Sequence, residues 1–420
     1  MINPPAGGET WQDQANRRIE KIRKGDFSVV VLDADGKPLA DTVVQIDQTR
    51  SAFRWGVAIN GDPTSDDPLE VKYRRFILDH FNTLVSENHF KWYTVEKERD
   101  KLDYQRADAY MKFADAHGLE MRGHCLFWSK KKWTQKWVWP LEGQELRKEI
   151  DEHIRNTVSR YKGRLIAWDV NNEMLDGHFF KDKLGEQIRV HMFKEARKHD
   201  PSVPLYVNEY AILGSDDYAS NKAGQYIELI RKLRSDGAPV TGIGIQEHAC
   251  ERIIPDQTDE DDDKHVEREN RGDIDPEVVW KRLDELGKFG LPIHLTEVSA
   301  RADDPVRRGK AIVAFMRTCF AHEAVDSFLL WGFWQRRHWL GMQASLTDND
   351  MELNEAGKAV SHALLNEWRT STEAKTDARG RVTFRGFYGT YRISAGDMVE
   401  ACTLTKDNPT VRVTLEEQGN

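Results

Sequence analysis

Residues 165–173 read LIAWDVNNE. The stretch opens as a short apolar run and closes in two carboxamides and a carboxylate. A run of this length with apolar residues at consecutive positions is the pattern of a strand covered on both faces, as parallel sheets require. The pattern recurs: residues 53–59, 82–86, 121–128, 165–171, 205–208, 240–246, 293–298 and 328–333 all read as strands. Amphipathic stretches separate them. At 104–117, Ala107, Tyr110, Met111 and Ala114 fall at i, i+3, i+4 and i+7, and Gly118 stands where such a helix would end. Another stretch, 276–288, begins with an acidic turn and closes near Gly290. Eight alternations of strand and helix predict a (β/α)8 barrel, because parallel strands need helical crossovers. A doubly wound open sheet is the alternative, but no Gly-rich phosphate loop opens any of these helices.

Outward from the barrel the style changes. Residues 27–48, FSVVVLDADGKPLADTVVQIDQ, hold two β-branched runs around Asp35-Gly36, a hairpin signal. Residues 376–397, TDARGRVTFRGFYGTYRISAGD, and the alternating VRVTL at 411–415 repeat that style near the other end. A lone hairpin is marginal in water, so the two ends are expected to build one small β-sandwich. The expected division is an extension at 1–25, sandwich strands at 26–50, the barrel at 51–370 and further sandwich strands at 371–420. Phe384, Phe387, Tyr388 and Tyr391 could form an exposed sugar platform, but their spacing fits half-buried strands with the rings in the core.

Lys and Arg number 61 against 70 Asp and Glu, a net charge of −9, with the signs interspersed along the 420 residues. That excludes a protein built around a basic nucleic-acid face. No apolar run approaches the roughly 18 residues of a membrane span. Four cysteines, Cys125, Cys250, Cys319 and Cys402, lie far apart and form no C-x-x-C pair. The opening MINPPAGGETW has no basic and apolar segments in the order of a signal peptide. The acidic stretch at 256–270, DQTDEDDDKHVEREN, lacks the spaced ligands and central Gly of a calcium loop and reads as a solvated loop. Oligomeric state is left open.

In a barrel of this kind the chemistry sits where the strands end. The apolar runs close with Glu87-Asn88, His124, Asn172-Glu173, Asn208-Glu209, Gln246 with His248, and Glu297; Trp331 and Trp339 follow the last run. Singly, each has an ordinary structural explanation; together, at so many strand ends, they point to a site. Two carboxyl groups in one cleft, one protonated and one ionised, are what glycosidic bond cleavage needs. Glu173 and Glu297 are the candidates. The amides of Asn172 and Gln246 can both donate to and accept from sugar hydroxyls, and Trp128, Trp331 and Trp339 offer faces on which a sugar ring can stack. Neither a G-x-S-x-G nor an H-E-x-x-H motif is present, and no metal or cofactor is called for.

Six blocks in order, SENHFKW (86–92), GHCLFW (123–128), WDVNNE (168–173), GIGIQEH (242–248), HLTEVS (294–299) and WGFWQRRHW (331–339), resemble glycoside hydrolase family 10 over residues 53–368. The resemblance implies a (β/α)8 barrel, cleavage of β-1,4-xylosidic bonds in xylan with retention of configuration, and a xylan or xylo-oligosaccharide substrate. It implies that Glu173 is the acid/base and Glu297 the nucleophile. Asn172 would contact a sugar 2-hydroxyl; Glu87, Asn88 and Lys91 would bind glycone sugars; and His124, Trp128, Gln246, His248, Trp331 and Trp339 would line the cleft. Secretion is the expected localisation, because polymeric xylan does not enter cells. Three departures stand out. Ser299 replaces the Asp that the family usually has two residues after the nucleophile, which should weaken the cationic bias of His248. Asn171 stands where an apolar residue is usual. Phe333, Trp334, Gln335, Arg336 and Arg337 follow Trp331 in place of a Thr-Asp pair and are expected to border the cleft, favouring acidic or decorated xylan. Two alternatives stay open: a retaining hydrolase of another β-linked glycan or of short xylo-oligosaccharides, and a sugar-binding barrel with little catalysis.

Overall fold

The computed structural model describes residues 9–214, 221–254 and 274–417. The acidic stretch 256–270 lies outside the described residues. The first two apolar runs form β1 (Lys24–Leu32) and β2 (Val43–Ser51). A helix, Trp11–Arg23, precedes them, its N-terminus closed by a reciprocal capping box between Thr10 and Asp13.

Eight strands form the barrel: β3 (Arg54–Ile59), β4 (Thr83–Ser86), β5 (Glu120–Gly123), β7 (Ala167–Asn172), β8 (Leu205–Tyr210), β9 (Gly242–Glu247), β10 (Ile293–Val298) and β11 (Val325–Leu330). The two-residue β6 (Phe127–Trp128) lies beside β7. The order β5-β4-β3-β11-β10-β9-β8-β7 closes on itself through the parallel pairing of β5 with β7 at Arg122–Ala167 and Gly123–Trp168. Every residue of β7, β9 and β10 is buried, which explains why these strands read as continuous rather than alternating runs. Helices such as Pro68–His80, Gln105–Ala116, Gly143–Arg160 and Pro276–Gly287 make the crossovers. Asp67 caps the first of them by accepting from the Leu69 amide at 2.8 Å, with Pro68 at its first position.

Two expectations shift here. The run at 121–128 is not one strand: β5 ends at Gly123 and β6 resumes at Phe127. The last strand lies earlier than 328–333. After Leu330 the chain turns, with Gly332 at φ 94°, a conformation that favours a residue without Cβ. Register shifts interrupt the ladders between Asp169 and Asn171 in β7 and between Leu295 and Glu297 in β10. Such irregularities re-aim side chains, and here they fall just before Glu173 and at Glu297.

The C-terminal segment supplies β12 (Ser371–Lys375), β13 (Arg381–Phe387), β14 (Gly389–Ala395), β15 (Met398–Leu404), β16 (Thr410–Thr414) and β17 (Glu416–Glu417). They build two sheets, β13-β1-β16 and β12-β2-β14-β15-β17. The Asp35-Gly36 turn is present, with the Gly36 amide donating to Asp33 O at 2.9 Å, but it does not join a hairpin of β1 and β2. The two strands enter different sheets. Each buries alternate side chains, Phe27, Val29 and Val31 on β1 and Val44 and Ile46 on β2, in the same core, and facing sheets satisfy both stripes at once. Tyr391 and Phe387 are buried, and Phe384 and Tyr388 pack against that core. The rings of Phe384, Tyr388 and Tyr391 surround Phe27 at 5.4 to 6.0 Å, so these aromatics fill the sandwich.

By contacts along the chain, two compact units result. One gathers the residues up to Trp55, Ala321–Glu323 and those from Ala359 onward; the other comprises Gly56–Phe320 and Ala324–Lys358.

Candidate active site

All twelve residues singled out from the sequence lie in the barrel unit, at or just past the C-terminal ends of its strands. Glu297 is the best-surrounded of them. Its Oε1 accepts from Asn208 Nδ2 at 2.8 Å and faces His124 Nε2 at 3.7 Å; its Oε2 faces His248 Nε2 at 3.4 Å. Burial by itself would raise the carboxyl's pKa, but the nearby His124, His248 and Lys91 outweigh burial and hold it below the ordinary 4.5. His124 is in turn oriented from behind. Its Nδ1 meets Asp169 Oδ2 at 2.8 Å, and Arg122 clamps Asp169 with both terminal nitrogens. Burial works against the Asp169 charge, and Arg122 and His124 together more than compensate, holding its carboxyl below the ordinary value.

Glu173 has a different setting. It follows β7 in the left-handed backbone region, φ 56°, uncommon for a residue with a Cβ. Its amide donates to Asn208 O at 2.9 Å and its carbonyl accepts from Gly177 N at 2.8 Å, which holds the turn. Strained backbone of this kind persists where the surroundings over-determine it, and such places cluster at functional sites. Glu173 Oε2 accepts from Trp128 Nε1 at 3.0 Å and lies 2.5 Å from Lys130 Nζ.

Amides join the two carboxyl groups. Gln246 Nε2 lies 3.5 Å from Glu173 Oε1 and donates to Asn172 Oδ1 at 3.1 Å; Asn208 Nδ2 donates to that same Asn172 oxygen at 2.9 Å and to Glu297. Asn208 Oδ1 is occupied by the Thr296 hydroxyl at 2.6 Å. With these amides orienting one another, the carboxyl groups are held from the strands themselves rather than from loops.

On the other flank, Lys91 Nζ lies over the Trp128 ring at 4.7 Å and the Trp331 ring at 5.9 Å. It also approaches Asn88 Oδ1 at 3.5 Å. Asn88 Oδ1 accepts from Tyr93 OH at 2.9 Å, and Glu87 Oε2 accepts from Asn60 Nδ2 at 2.5 Å. Burial raises the Glu87 pKa against the pull of Asn60 and Lys91. Trp331 is buried against His124, ring centroids 5.2 Å apart, whereas Trp339 is 54% exposed and meets His248 edge-on at 5.0 Å. Trp128 stacks on Trp133 at 4.6 Å with planes 11° apart. Among the described residues, no group of three His, Cys, Asp or Glu side chains is placed to hold a metal ion.

The departures resolve individually. Ser299 Oγ lies 3.3 Å from His248 Nδ1, a neutral hydroxyl in the place of a carboxylate. Asn171 is matched by a polar neighbour, its Oδ1 accepting from Ser129 Oγ at 2.6 Å. The expectation for the stretch after Trp331 needs correction. Phe333 and Trp334 are buried, Phe333 stacking on Tyr73 at 4.7 Å and on Phe76 at 4.6 Å, so they form wall and not cleft. Arg337 is committed to the buried Glu70 carboxylate and to Asn60 O, and Arg336 faces Asp350 on the exposed side.

Nothing in the sequence assigned a role to Asn208, Asp169, Arg122 or Lys130. Asn208 closes an apolar run and was visible as a strand-end residue; its bonds to Asn172 and to the Glu297 carboxyl group were not. Lys130 begins the KKK run two residues after Trp128, and such a run reads by default as a solvated face.

The sequence pattern of Glycosyl hydrolase family 10 matches residues 46–363. An anti-sigma-I factor of Acetivibrio thermocellus is 37% identical over 390 residues, 93% of this chain and 47% of its own length. An endo-1,4-beta-xylanase of Arabidopsis thaliana is 32% identical over 411 residues, 96% of this chain and 40% of its own. The chain thus spans less than half the length of these two relatives. Among solved structures, native xylanase 10B of Thermotoga maritima superposes with a TM-score of 0.63 at 24% identity, covering 75% of this chain and 96% of that one, a likeness of fold. With the pattern matching well over half of its residues, the chain belongs to glycosyl hydrolase family 10.

Proposed function

We propose that this chain hydrolyses β-1,4-xylosidic bonds in xylan or xylo-oligosaccharides with retention of configuration, Glu297 acting as nucleophile and Glu173 as acid/base. One observation carries the reading: the two carboxyl groups are tied through Gln246, Asn172 and Asn208 yet stand in opposite surroundings, Glu297 among histidines and Glu173 beside Trp128 and Lys130. In the first step a Glu297 oxygen attacks the anomeric carbon. The bond to the leaving oxygen breaks, its electron pair stays on that oxygen, and the Glu173 proton joins it. The product is a glycosyl ester of Glu297. In the second step water gives a proton to Glu173 and its oxygen attacks the same carbon, releasing the Glu297 carboxylate. Asp169 serves this sequence by fixing His124 with Nδ1 toward itself, so that Nε2 faces Glu297. Because polymeric xylan stays outside cells, the proposed place of action is extracellular.

Product analysis on glucuronoxylan, arabinoxylan, mannan and cellulose tests the substrate. A xylo-oligosaccharide ladder is expected from the xylans. Glu173→Ala should lower kcat/KM on xylan by about 10²- to 10⁴-fold while sparing first-step cleavage of an aryl xyloside whose leaving group needs no proton. A ladder from mannan or cellulose alone would overturn the xylan assignment. The alternative is a barrel that binds sugar with little hydrolysis. Saturable xylan binding without product, equal in wild type and Glu173→Ala, would decide for it.

A further inference from the structure

The reaction above gives Lys130 no task, yet its Nζ lies 2.5 Å from Glu173 Oε2, the oxygen that also accepts from Trp128 Nε1. The other oxygen, Oε1, has the longer 3.5 Å contact with Gln246. The Lys130 and Glu173 side chains are only 23% and 9% exposed, so their attraction is poorly screened by water.

Among the described residues, the other charged and titratable groups around this pair have partners of their own. Past Glu173 on the same loop, Asp176 pairs with Lys222 at 2.8 Å and accepts from Tyr210 OH. At the end of β8, the fully buried Glu209 pairs with Lys222 at 3.0 Å and accepts from Leu175 N at 3.0 Å; burial pushes its carboxyl up to about 7. The Tyr210 ring lies 5.1 Å from Lys130 Nζ and presents its face to both lysines. Between β5 and β6, burial pushes the Cys125 thiol up and leaves it uncharged. From β9 the Gln246 amide is neutral, and on β10 Glu297 faces His124 and His248. Among the described residues, Lys130 is therefore the cation in contact with Glu173, and Glu173 the carboxylate in contact with Lys130.

We propose that Lys130 is a positioning residue that pins Glu173 through Oε2 in the resting protein, so that Lys130 must leave that oxygen before Glu173 can protonate a leaving sugar. The proposal rests on the acid/base role given to Glu173 above. An ammonium and a carboxyl oxygen in contact at a poorly screened place hold each other, so a first step that needs Oε2 turned to the leaving oxygen must break that contact, whereas expulsion of an activated leaving group need not. Substrates whose leaving group needs a proton should feel this, and substrates with an activated leaving group should not.

The test is kcat and KM for wild type, Lys130→Met and Lys130→Arg, on xylotetraose and on dinitrophenyl β-xylobioside. On xylotetraose, Lys130→Met should raise kcat/KM by about threefold or more through kcat, and Lys130→Arg should return it. On the dinitrophenyl substrate the three proteins should agree within about twofold, since no proton is transferred to that leaving group. An unchanged kcat on xylotetraose in a Lys130→Met protein that melts like wild type would overturn the proposal. So would an equal loss on both substrates through KM, the mark of a merely structural lysine. If Lys130→Met does not fold, Lys130→Gln takes its place in the same comparison. Failure of the wild type to cleave either substrate would instead remove the acid/base role itself, and the Lys130 proposal with it.

Discussion

In the sandwich, Tyr391 is fully buried beside Phe27 and donates its hydroxyl to the Phe387 carbonyl. In the barrel, Trp128 stacks on Trp133, lies under the Lys91 ammonium and donates its indole N–H to a glutamate. Both regions are rich in aromatic side chains; the difference is where the polar edge of each ring is directed. In the sandwich it closes on backbone, and the ring faces are covered by other rings. In the barrel it meets charged side chains at strand ends, and Trp339 exposes more than half its surface there. An aromatic cluster thus indicates a ligand site only when its polar partners are titratable and some of its surface is left to be covered, whereas the same residues turned inward are core.

The sharpest way to break this contrast is to remove the charge at the centre of the barrel site. Glu297→Gln should reduce xylan hydrolysis on the order of 10⁴-fold or more while the melting temperature stays close to wild type, measured by reducing-sugar release and calorimetry. Retained activity would mean that the polar strand ends are structural after all. On the other side of the comparison, Phe27→Ala should cost about 3–5 kcal/mol in denaturant unfolding of the terminal unit, with kcat/KM per folded molecule unchanged. A loss of activity without loss of stability would show that the sandwich is more than packing.

The smallest effect sharpens the barrel side alone. In the proposed reaction Glu297 must be ionised to attack, and its carboxyl is held below 4.5, so activity should fall only as pH drops below that value. Ser299→Asp places a carboxylate beside His248 Nδ1, where only a hydroxyl now stands at 3.3 Å. An anion beside this imidazole should broaden the rate profile on its alkaline side by less than about one unit. A superimposable profile would show that the missing carboxylate does not matter to this site.

Much of the barrel was legible because burial on both faces writes itself as consecutive apolar residues, as in LIAWDV, and because the functional groups follow each run directly. The β1–β2 hairpin was misread for a related reason. Asp35-Gly36 reports a local turn, whereas the partners of β2 are β12 and β14, more than three hundred residues away. Phe333 to Arg337 were assigned to the cleft from their nearness to Trp331; whether a bulky or basic residue faces ligand or wall depends on what packs behind it, here Tyr73, Phe76 and Glu70.

By itself, then, the sequence determined the strand-helix alternation, the closed parallel architecture it requires, the family, and which side chains end the strands, since these follow from periodicity and from ordered blocks of residues. Only the tertiary structure decided which of those side chains touch. Asn208 bridging Asn172 and Glu297, Asp169 behind His124, and Lys130 against Glu173 are contacts between strand ends and loops that lie 36 to 89 residues apart. Closure of the barrel brings them together, and the charge balance of each carboxyl group is set by those neighbours rather than by its own segment of chain.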